Sequence, residues 1–307
     1  MIAPSKPNGF ELGTLSVSDP EAGRVRTRAL SEDTEYYDGD GPYSATGGGP
    51  DGTQPKGTAA PIQACHDFQA FMPRKIVIGS CAGDAQYWSI AASAGDPTSG
   101  DGEKHTHVKR ENGTTESFDF IHNATVTWDG KYASISDESG GGGEARCDGP
   151  QTKRGFTFFY PLVEPGQPVD GFADLKGRYI IPRPQNSEIC VSHNGNVLPV
   201  KDRYLQVQAF YQGGNSYYDF TNLSAPVELG WADLETRNGK ADSWSTYWYN
   251  GVVYVNGGLD RRDSAPAADD GNRGFEAYEL ENPDGSAGPT KRWSHLNPQT
   301  QEVSQAP

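Results

Sequence analysis

The sequence has few of the features that mark membrane, nucleic-acid-binding and zinc-ribbon proteins. Only 34% of its 307 residues are hydrophobic, and no apolar run reaches the roughly 18 residues of a membrane-spanning helix. Lys and Arg number 26 against 41 Asp and Glu, which gives a net charge of −15. Such a chain is repelled by phosphate backbones and has no basic patch to bind them. The 4 cysteines form no Cys-x-x-Cys pair, which argues against a zinc ribbon.

Glycine, proline and aromatic residues are, by contrast, abundant. The chain has 38 Gly and 22 Pro, a composition that alone would suggest disorder. However, its 15 Tyr, 12 Phe and 6 Trp fall mainly within periodic segments. No segment has a convincing helical period. We therefore expect an all-β protein with long polar loops.

One pattern recurs four times along the chain. A histidine or small polar residue opens an apolar segment, a tight turn follows, and a second apolar segment runs into glycines; the copies begin at Ala64, Ile121, Val191 and Ser243. Asp-Gly or Asn-Gly turns in two copies are strong hairpin signals. A third strand is predicted in each copy, at 86–90, 156–160, 215–220 and 275–280. Stacked units of about 40 residues are typical of a β-propeller.

The repeats predict one all-β domain over residues 1–281, a β-propeller of four recognisable blades. Leu12–Pro20 reads as a third strand without a preceding hairpin, so a partial blade is predicted at the N-terminus. Three polar or glycine-rich segments interrupt this pattern and are predicted to be loop insertions: 31–60, 98–116 and 261–273. The second insertion carries His105 and His107, which we expect to be solvated. Residues 282–307 are predicted to be a disordered tail.

Five longer segments are informative about the family: Leu15-Ser-Val-Ser-Asp-Pro20, Ala64-Cys-His-Asp67, Cys190-Val-Ser-His-Asn-Gly195, Gln208-Ala-Phe-Tyr-Gln-Gly-Gly214 and Trp244-Ser-Thr-Tyr-Trp-Tyr-Asn-Gly251. They resemble the LVIVD-repeat proteins, a family of exported bacterial β-propellers. The resemblance implies a propeller located outside the cell or at its surface, and it implies no reaction. The first residues lack the apolar core of a signal peptide, so we expect either that the protein is not exported or that its leader is missing from this sequence.

The cysteine spacing favours one of three possible disulfide pairings. Cys65 and Cys81 are symmetric about a predicted turn near Pro73-Arg74, so they would face each other across antiparallel strands. Cys147 and Cys190 then form the second pair, which implies an oxidising compartment. The alternative is four buried free thiols.

Histidines at the start of three repeats form the sharpest candidate site. His66, His122 and His193 each open the first strand of a blade. Each is followed by a carboxylate or amide residue: Asp67, Asn123 and Asn194. The innermost strands of a propeller line its axis, so the imidazoles should converge and could bind a transition metal, with Asp67 as a ligand or hydrogen-bond partner. The alternative is a structural role in which the repeated residues hydrogen-bond between blades.

The fourth repeat lacks the histidine. Aligning its Asn250-Gly251 turn with Asp129-Gly130 places Ser243 at the equivalent position. A metal held by the three histidines would then keep an open position, as catalytic metals do.

Two further segments offer weaker binding chemistry. The acidic glycine loop with Asp137, Glu138 and Glu144 could wrap Ca²⁺, or its glycines could serve only a long loop that needs positive φ. The aromatic run formed by Trp244, Tyr247, Trp248 and Tyr249 could stack on sugar rings or pack between blades.

These observations favour a non-enzymatic binding or interaction module that uses loops on one face of the ring. Its ligand would be a protein, a glycan or a small molecule, and an open blade edge would permit self-association. The alternative is a metal-dependent enzyme with its site at the axial histidines. A transition metal or Ca²⁺ would be the cofactor.

Overall fold

The computed structural model describes residues 2–6, 9–15, 25–29, 66–74, 76–80, 85–89, 104–106, 121–138, 146–147, 155–163, 171–173, 175–183, 185–233, 242–249, 251–258, 275–282, 284–285 and 288–289. Within these ranges the chain forms β-strands and one short 3-10 turn, Met72–Arg74, and no α-helix. No helix in the described part of the chain is long and apolar enough to cross a membrane. The predicted all-β class is confirmed.

The first sheet is an antiparallel meander at the N-terminus. It comprises β1 (Ile2–Lys6), β2 (Gly9–Leu15) and β3 (Val25–Ala29), in that order. Leu12 therefore lies in a middle strand, where it pairs with Ile2 and Arg28. The prediction of a third strand without a preceding hairpin was wrong here, because β1 contains Pro4 and has no alternating apolar pattern. Such a strand is tolerated only at a sheet edge, the position that β1 occupies.

The first of four blades contains β4 (Asp67–Phe71), β5 (Ile76–Ser80), β6 (Ala85–Ser89) and β7 (Lys104–Thr106), paired in that order. The turn Met72–Arg74 joins β4 to β5, where the sequence predicted it. His105 pairs with Tyr87 across β6 and β7. Part of the predicted insertion 98–116 is therefore an edge strand, and the expectation of a loop at His105 was wrong. His107 lies outside the described residues.

The second blade is built around the predicted hairpin at Asp129-Gly130. Its strands are β8 (Ile121–Val126), β9 (Tyr132–Asp137), β11 (Thr157–Val163) and β12 (Gly171–Phe172), and β13 (Gly177–Tyr179) also pairs with β11. A separate ribbon pairs β10 (Arg146–Cys147) with β14 (Gln185–Ile189). The register sets Arg146 opposite Ile189 and Cys147 opposite Gln185. The Cys147–Cys190 disulfide stays a prediction, and Cys65 and Cys81 lie outside the described residues.

The third and fourth blades follow the same meander. The third has β15 (Gly195–Leu198), β16 (Leu205–Ala209), β17 (Asn215–Asp219) and β18 (Val227–Ala232). The fourth has β19 (Asp242–Tyr249), β20 (Val252–Gly258) and β21 (Phe275–Glu279). The predicted third strands of the four copies correspond to β6, β11, β17 and β21. Gly288, which lies in the predicted tail, donates a backbone hydrogen bond to the carbonyl of Leu280.

Apolar side chains fill the space between consecutive blades. Residues of β5 and β6 pack with Ile135 and Phe158 of the second blade. On the opposite face of the second blade, Phe159 stacks on Phe220 of the third, with ring centroids 4.7 Å apart. Tyr217 of the third blade and Trp248 of the fourth lie in one hydrophobic cluster between these two blades. The second and third blades thus bury alternate residues against the blades on either side, as strand geometry requires.

The innermost strands lie side by side in chain order. The side-chain oxygen of Gln69 in β4 accepts a hydrogen bond from the Val126 N–H of β8 at 2.5 Å. In the same way, Asn196 of β15 accepts one from the Trp248 N–H of β19 at 3.2 Å. Radially stacked antiparallel blades with neighbouring inner strands are the architecture of a β-propeller. The four blades and the partial N-terminal blade agree with the predicted fold.

Candidate metal centre

A β-bulge at the start of β8 positions His122. Ile121 pairs with Asp137 and Asn123 pairs with Ser136, so His122 is an additional residue between two paired positions. A bulge of this kind redirects a side chain and is common beside functional sites. His122 is 2% exposed.

The same register shift occurs in β19, between Ser243 and Ser245. The residue equivalent to His122 is therefore Trp244, and the predicted equivalence of Ser243 was wrong by one position. The prediction failed because it assumed turns of equal length in the two blades. Thr127 and Tyr132 close a four-residue loop in the second blade, whereas Tyr249 pairs directly with Val252 across two residues.

The three predicted histidines form a continuous row of rings. The ring centroids of His66 and His122 lie 3.6 Å apart, and those of His122 and His193 lie 4.1 Å apart. Trp244 continues the row, with its ring at 6.0 Å from His193 in an edge-on arrangement. His66 is exposed at one end, and His122 and His193 are buried.

Glu138 brings a carboxylate to this row. It follows β9 directly, and its Oε2 lies 3.3 Å from Nε2 of His122. Its Oε1 lies 3.6 Å from Nε2 of His193 and accepts a hydrogen bond from the Tyr211 hydroxyl. Glu138 as a whole is 5% exposed, so its carboxylate is buried. Among the described residues, His122, Glu138 and His193 form the group whose ligand atoms lie within 4.8 Å of one another and could hold a metal ion.

The sequence had assigned Glu138 to a calcium loop instead. In the structure its carboxylate is occupied by two imidazoles and a tyrosine hydroxyl. Asp137 is buried in β9, and Glu144 lies outside the described residues. Calcium binding by this loop stays a prediction, and Glu138 is no longer one of the ligands that would support it.

Hydrogen bonds on the far side of the rings orient the histidines. Nδ1 of His193 contacts the carbonyl oxygen of Trp244. A carbonyl can only accept, so Nδ1 carries the proton and Nε2 presents its lone pair to Glu138. The Asn194 side chain also hydrogen-bonds to His122 and opposes the lowering of its pKa.

Burial sets the protonation of the cluster. It lowers the pKa of His122, with the neighbouring His193 and His66 acting in the same direction. Burial also lowers the pKa of His193 to about 4, although the Trp244 carbonyl opposes this shift. The pKa of Glu138 is raised by burial to about 7, against the effect of the Tyr211 hydrogen bond. Near neutral pH both buried histidines are therefore neutral and Glu138 can lose its proton.

Polar side chains one residue further along the inner strands link neighbouring blades in pairs. The Asn123 amide donates to Asp67 Oδ2 at 2.6 Å, and the Asn194 amide donates to the Tyr247 hydroxyl at 3.4 Å. Asp67, predicted as a metal ligand or partner, is thus bound to the neighbouring blade. A backbone bridge between Asn194 and Ser245 also joins the third blade to the fourth.

The aromatic run of the fourth blade divides between two environments. Trp248 is buried in the core between the third and fourth blades, and Trp244 packs against His193 and Tyr211. Tyr247 and Tyr249 are 40% and 52% exposed. Core packing accounts for the first two residues, and stacking on a sugar stays a prediction for the exposed pair.

Comparisons with known proteins support the fold and go no further. No family model matches the chain, and no curated protein matches it. The chain is similar to the crystal structure of a protein from Lactobacillus plantarum, with a TM-score of 0.51 and 10% identity. That protein is β-propeller-like. The similarity covers 95% of this chain and 66% of the other, so the chain spans slightly less than two thirds of its length.

Proposed function

We propose that this protein is a β-propeller binding module, and that its binding centre is a divalent transition-metal site formed by His122, Glu138 and His193. The observation that carries the proposal is the convergence of two imidazole nitrogens and one carboxylate in a buried group. Imidazole and carboxylate together suit Zn²⁺ and its first-row neighbours, whereas Ca²⁺ prefers oxygen ligands alone.

The separations of the ligand atoms fit such an ion. A tetrahedral zinc holds nitrogen and oxygen ligands at about 2.0–2.1 Å, which places any two of them about 3.3 Å apart. The observed separations are 3.3 Å from Oε2 of Glu138 to Nε2 of His122 and 3.6 Å from Oε1 to Nε2 of His193. Because these distances involve different carboxylate oxygens, binding through one oxygen would require the side chains to adjust within a group whose ligand atoms already lie within 4.8 Å of one another.

The protonation pattern also favours a cation. With the Nδ1 proton of His193 directed to the Trp244 carbonyl, its Nε2 is an acceptor that faces a carboxylate. Acceptors buried together without a donor are costly. Either a proton on Glu138 or a metal ion between the ligands removes this cost, and the raised pKa of Glu138 is consistent with the former in the metal-free protein.

The setting of the module is also proposed. The resemblance to LVIVD-repeat proteins and the predicted pairs Cys65–Cys81 and Cys147–Cys190 support an exported protein that acts outside the cell or at its surface. The second candidate function is a metal-dependent enzyme at the same centre. Three protein ligands, rather than four, are the pattern of catalytic zinc sites.

The test is elemental analysis of protein purified without a chelator or a histidine tag. We expect about one transition metal per chain in the wild type and its loss in His122→Ala. His66→Ala is the matched control, because it removes an imidazole from the same row outside the ligand group. Wild-type protein that stays metal-free after incubation with Zn²⁺, Co²⁺ or Cu²⁺ would contradict the proposal, as would equal losses in the two variants.

A further inference from the structure

We infer that the centre is open: a bound metal keeps one coordination position for a small exogenous ligand, and Tyr211 is the positioning residue that preserves this position. The inference rests on the proposed metal site and deepens it by naming the class of ligand. That class is a small anion or neutral donor such as hydroxide, azide or a short carboxylate.

The ligand count is the first argument. Structural zinc sites are closed by four protein ligands, whereas sites that act on a ligand keep the fourth position for water or substrate. The group that could hold a metal has three members, and the part of the chain that the structure describes adds no fourth His, Cys, Asp or Glu to it. The remaining position would be filled from solution.

Tyr211 supplies the second argument, because its backbone is held in an unfavourable conformation. Its φ is 48°, a left-handed value that is uncommon for a residue other than glycine. Two backbone hydrogen bonds with Ser243, at 2.9 and 3.1 Å, fix this conformation. Gly214 donates a further bond to the Tyr211 carbonyl at 3.0 Å. Local strain that surrounding bonds maintain is concentrated at functional sites.

The strained backbone aims the Tyr211 hydroxyl at Oε1 of Glu138. The hydroxyl donates to this oxygen and so competes with a metal for it. Binding through a single carboxylate oxygen is therefore favoured over binding through two. A carboxylate that used both oxygens would occupy the position that we assign to the exogenous ligand.

Burial limits the size of that ligand. His122, Glu138 and His193 are 2%, 5% and 6% exposed. Solvent reaches the row at the exposed His66, whose ring covers His122. A ligand of a few atoms is compatible with this approach, and a glycan or peptide is not.

The experiment is an azide titration of the Co²⁺-loaded protein, followed by the visible absorption of the metal. Azide should change the cobalt bands of the wild type and saturate. In Tyr211→Phe, Glu138 is free to bind through both oxygens, so azide affinity should fall by about tenfold or more. Tyr218→Phe is the matched control, because its buried hydroxyl donates to Gln208 instead, at 2.8 Å. Circular dichroism of each variant checks that it is folded.

The outcomes separate the inference from the proposed function. If the wild type takes up cobalt and azide leaves its bands unchanged, the centre is closed and the inference is wrong, while the metal site stands. If azide binds equally well to the wild type and Tyr211→Phe, the centre is open and the role of Tyr211 is wrong. Failure of the wild type to bind cobalt overturns both. His66→Ala gives a second test, since azide should bind it at least as fast as it binds the wild type.

Discussion

Replacing Glu138 by Gln should stabilise the metal-free protein at neutral pH and leave it unchanged in acid. Burial raises the pKa of Glu138 from 4.5 to about 7, a difference of about 2.5 pH units. Each unit corresponds to about 1.4 kcal/mol, so ionising this carboxylate in the folded protein costs about 3 kcal/mol. Glutamine resembles the protonated form in shape and charge, and it does not incur this cost.

The direction follows from the protons bound in each state. Between pH 4.5 and about 7 the folded protein keeps a proton on Glu138 that the unfolded chain has lost. The contribution of Glu138 to stability is therefore full below 4.5 and falls as the pH rises through about 7. The difference between Glu138→Gln and the wild type isolates this group, because His122 and His193 titrate in both proteins.

Urea unfolding in the presence of a chelator, from about pH 4.5 to about pH 8, measures this difference. We expect it to grow from near zero to about 3 kcal/mol in favour of the variant. The exposed Glu279→Gln provides the control and should show no such trend. A difference that is constant with pH would refute the reasoning. With Zn²⁺ at about 1,000 times Kd the order should reverse, because the wild type alone keeps all three ligands and gains about 4.1 kcal/mol, which exceeds the difference of about 3 kcal/mol.

Three further predictions concern the blades and the disulfides. Asn196→Ala leaves the Trp248 N–H without its acceptor and should cost about 1–3 kcal/mol in urea unfolding; a cost below the error of the fit would show that this hydrogen bond contributes nothing. Phe159→Ala removes a fully buried ring and should lower the free energy of unfolding by about 3–5 kcal/mol. A loss of less than about 1 kcal/mol would contradict this, because it would mean that the neighbouring rings collapse into the space. Peptide mapping without reduction should recover Cys147 linked to Cys190, and free alkylated thiols at these positions would contradict the pairing.

The repeating units of the fold were readable because their signals are local. Apolar alternation bounded by glycines predicted the strands β8, β9, β11 and β17, and Asp129-Gly130 predicted the second hairpin. The edge strands β1 and β7 lack such a signal. A residue such as His105 joins a sheet through backbone hydrogen bonds that impose no side-chain pattern, so only the neighbouring strand reveals the pairing.

The candidate site was predictable only in part, for related reasons. The repeat identified His122 and His193, because equivalent positions of neighbouring blades converge. Glu138 lies in a glycine-rich context that suggested a loop, and its approach to the histidines depends on the pairing of Asp137 with Ile121. The orientation of Tyr211 depends on its positive φ, which a tyrosine at that position does not indicate.

The asymmetry of the fourth blade is what gives the centre its chemistry. A fourth histidine in place of Trp244 would offer another imidazole to the row. Instead, the bulge at Trp244 brings a backbone carbonyl to Nδ1 of His193, and that carbonyl fixes the tautomer with its lone pair towards Glu138. Ser243, immediately before the bulge, holds the strained backbone of Tyr211. The blade that lacks a histidine therefore orients both His193 and Glu138, so it acts on the centre through its backbone rather than by contributing a ligand.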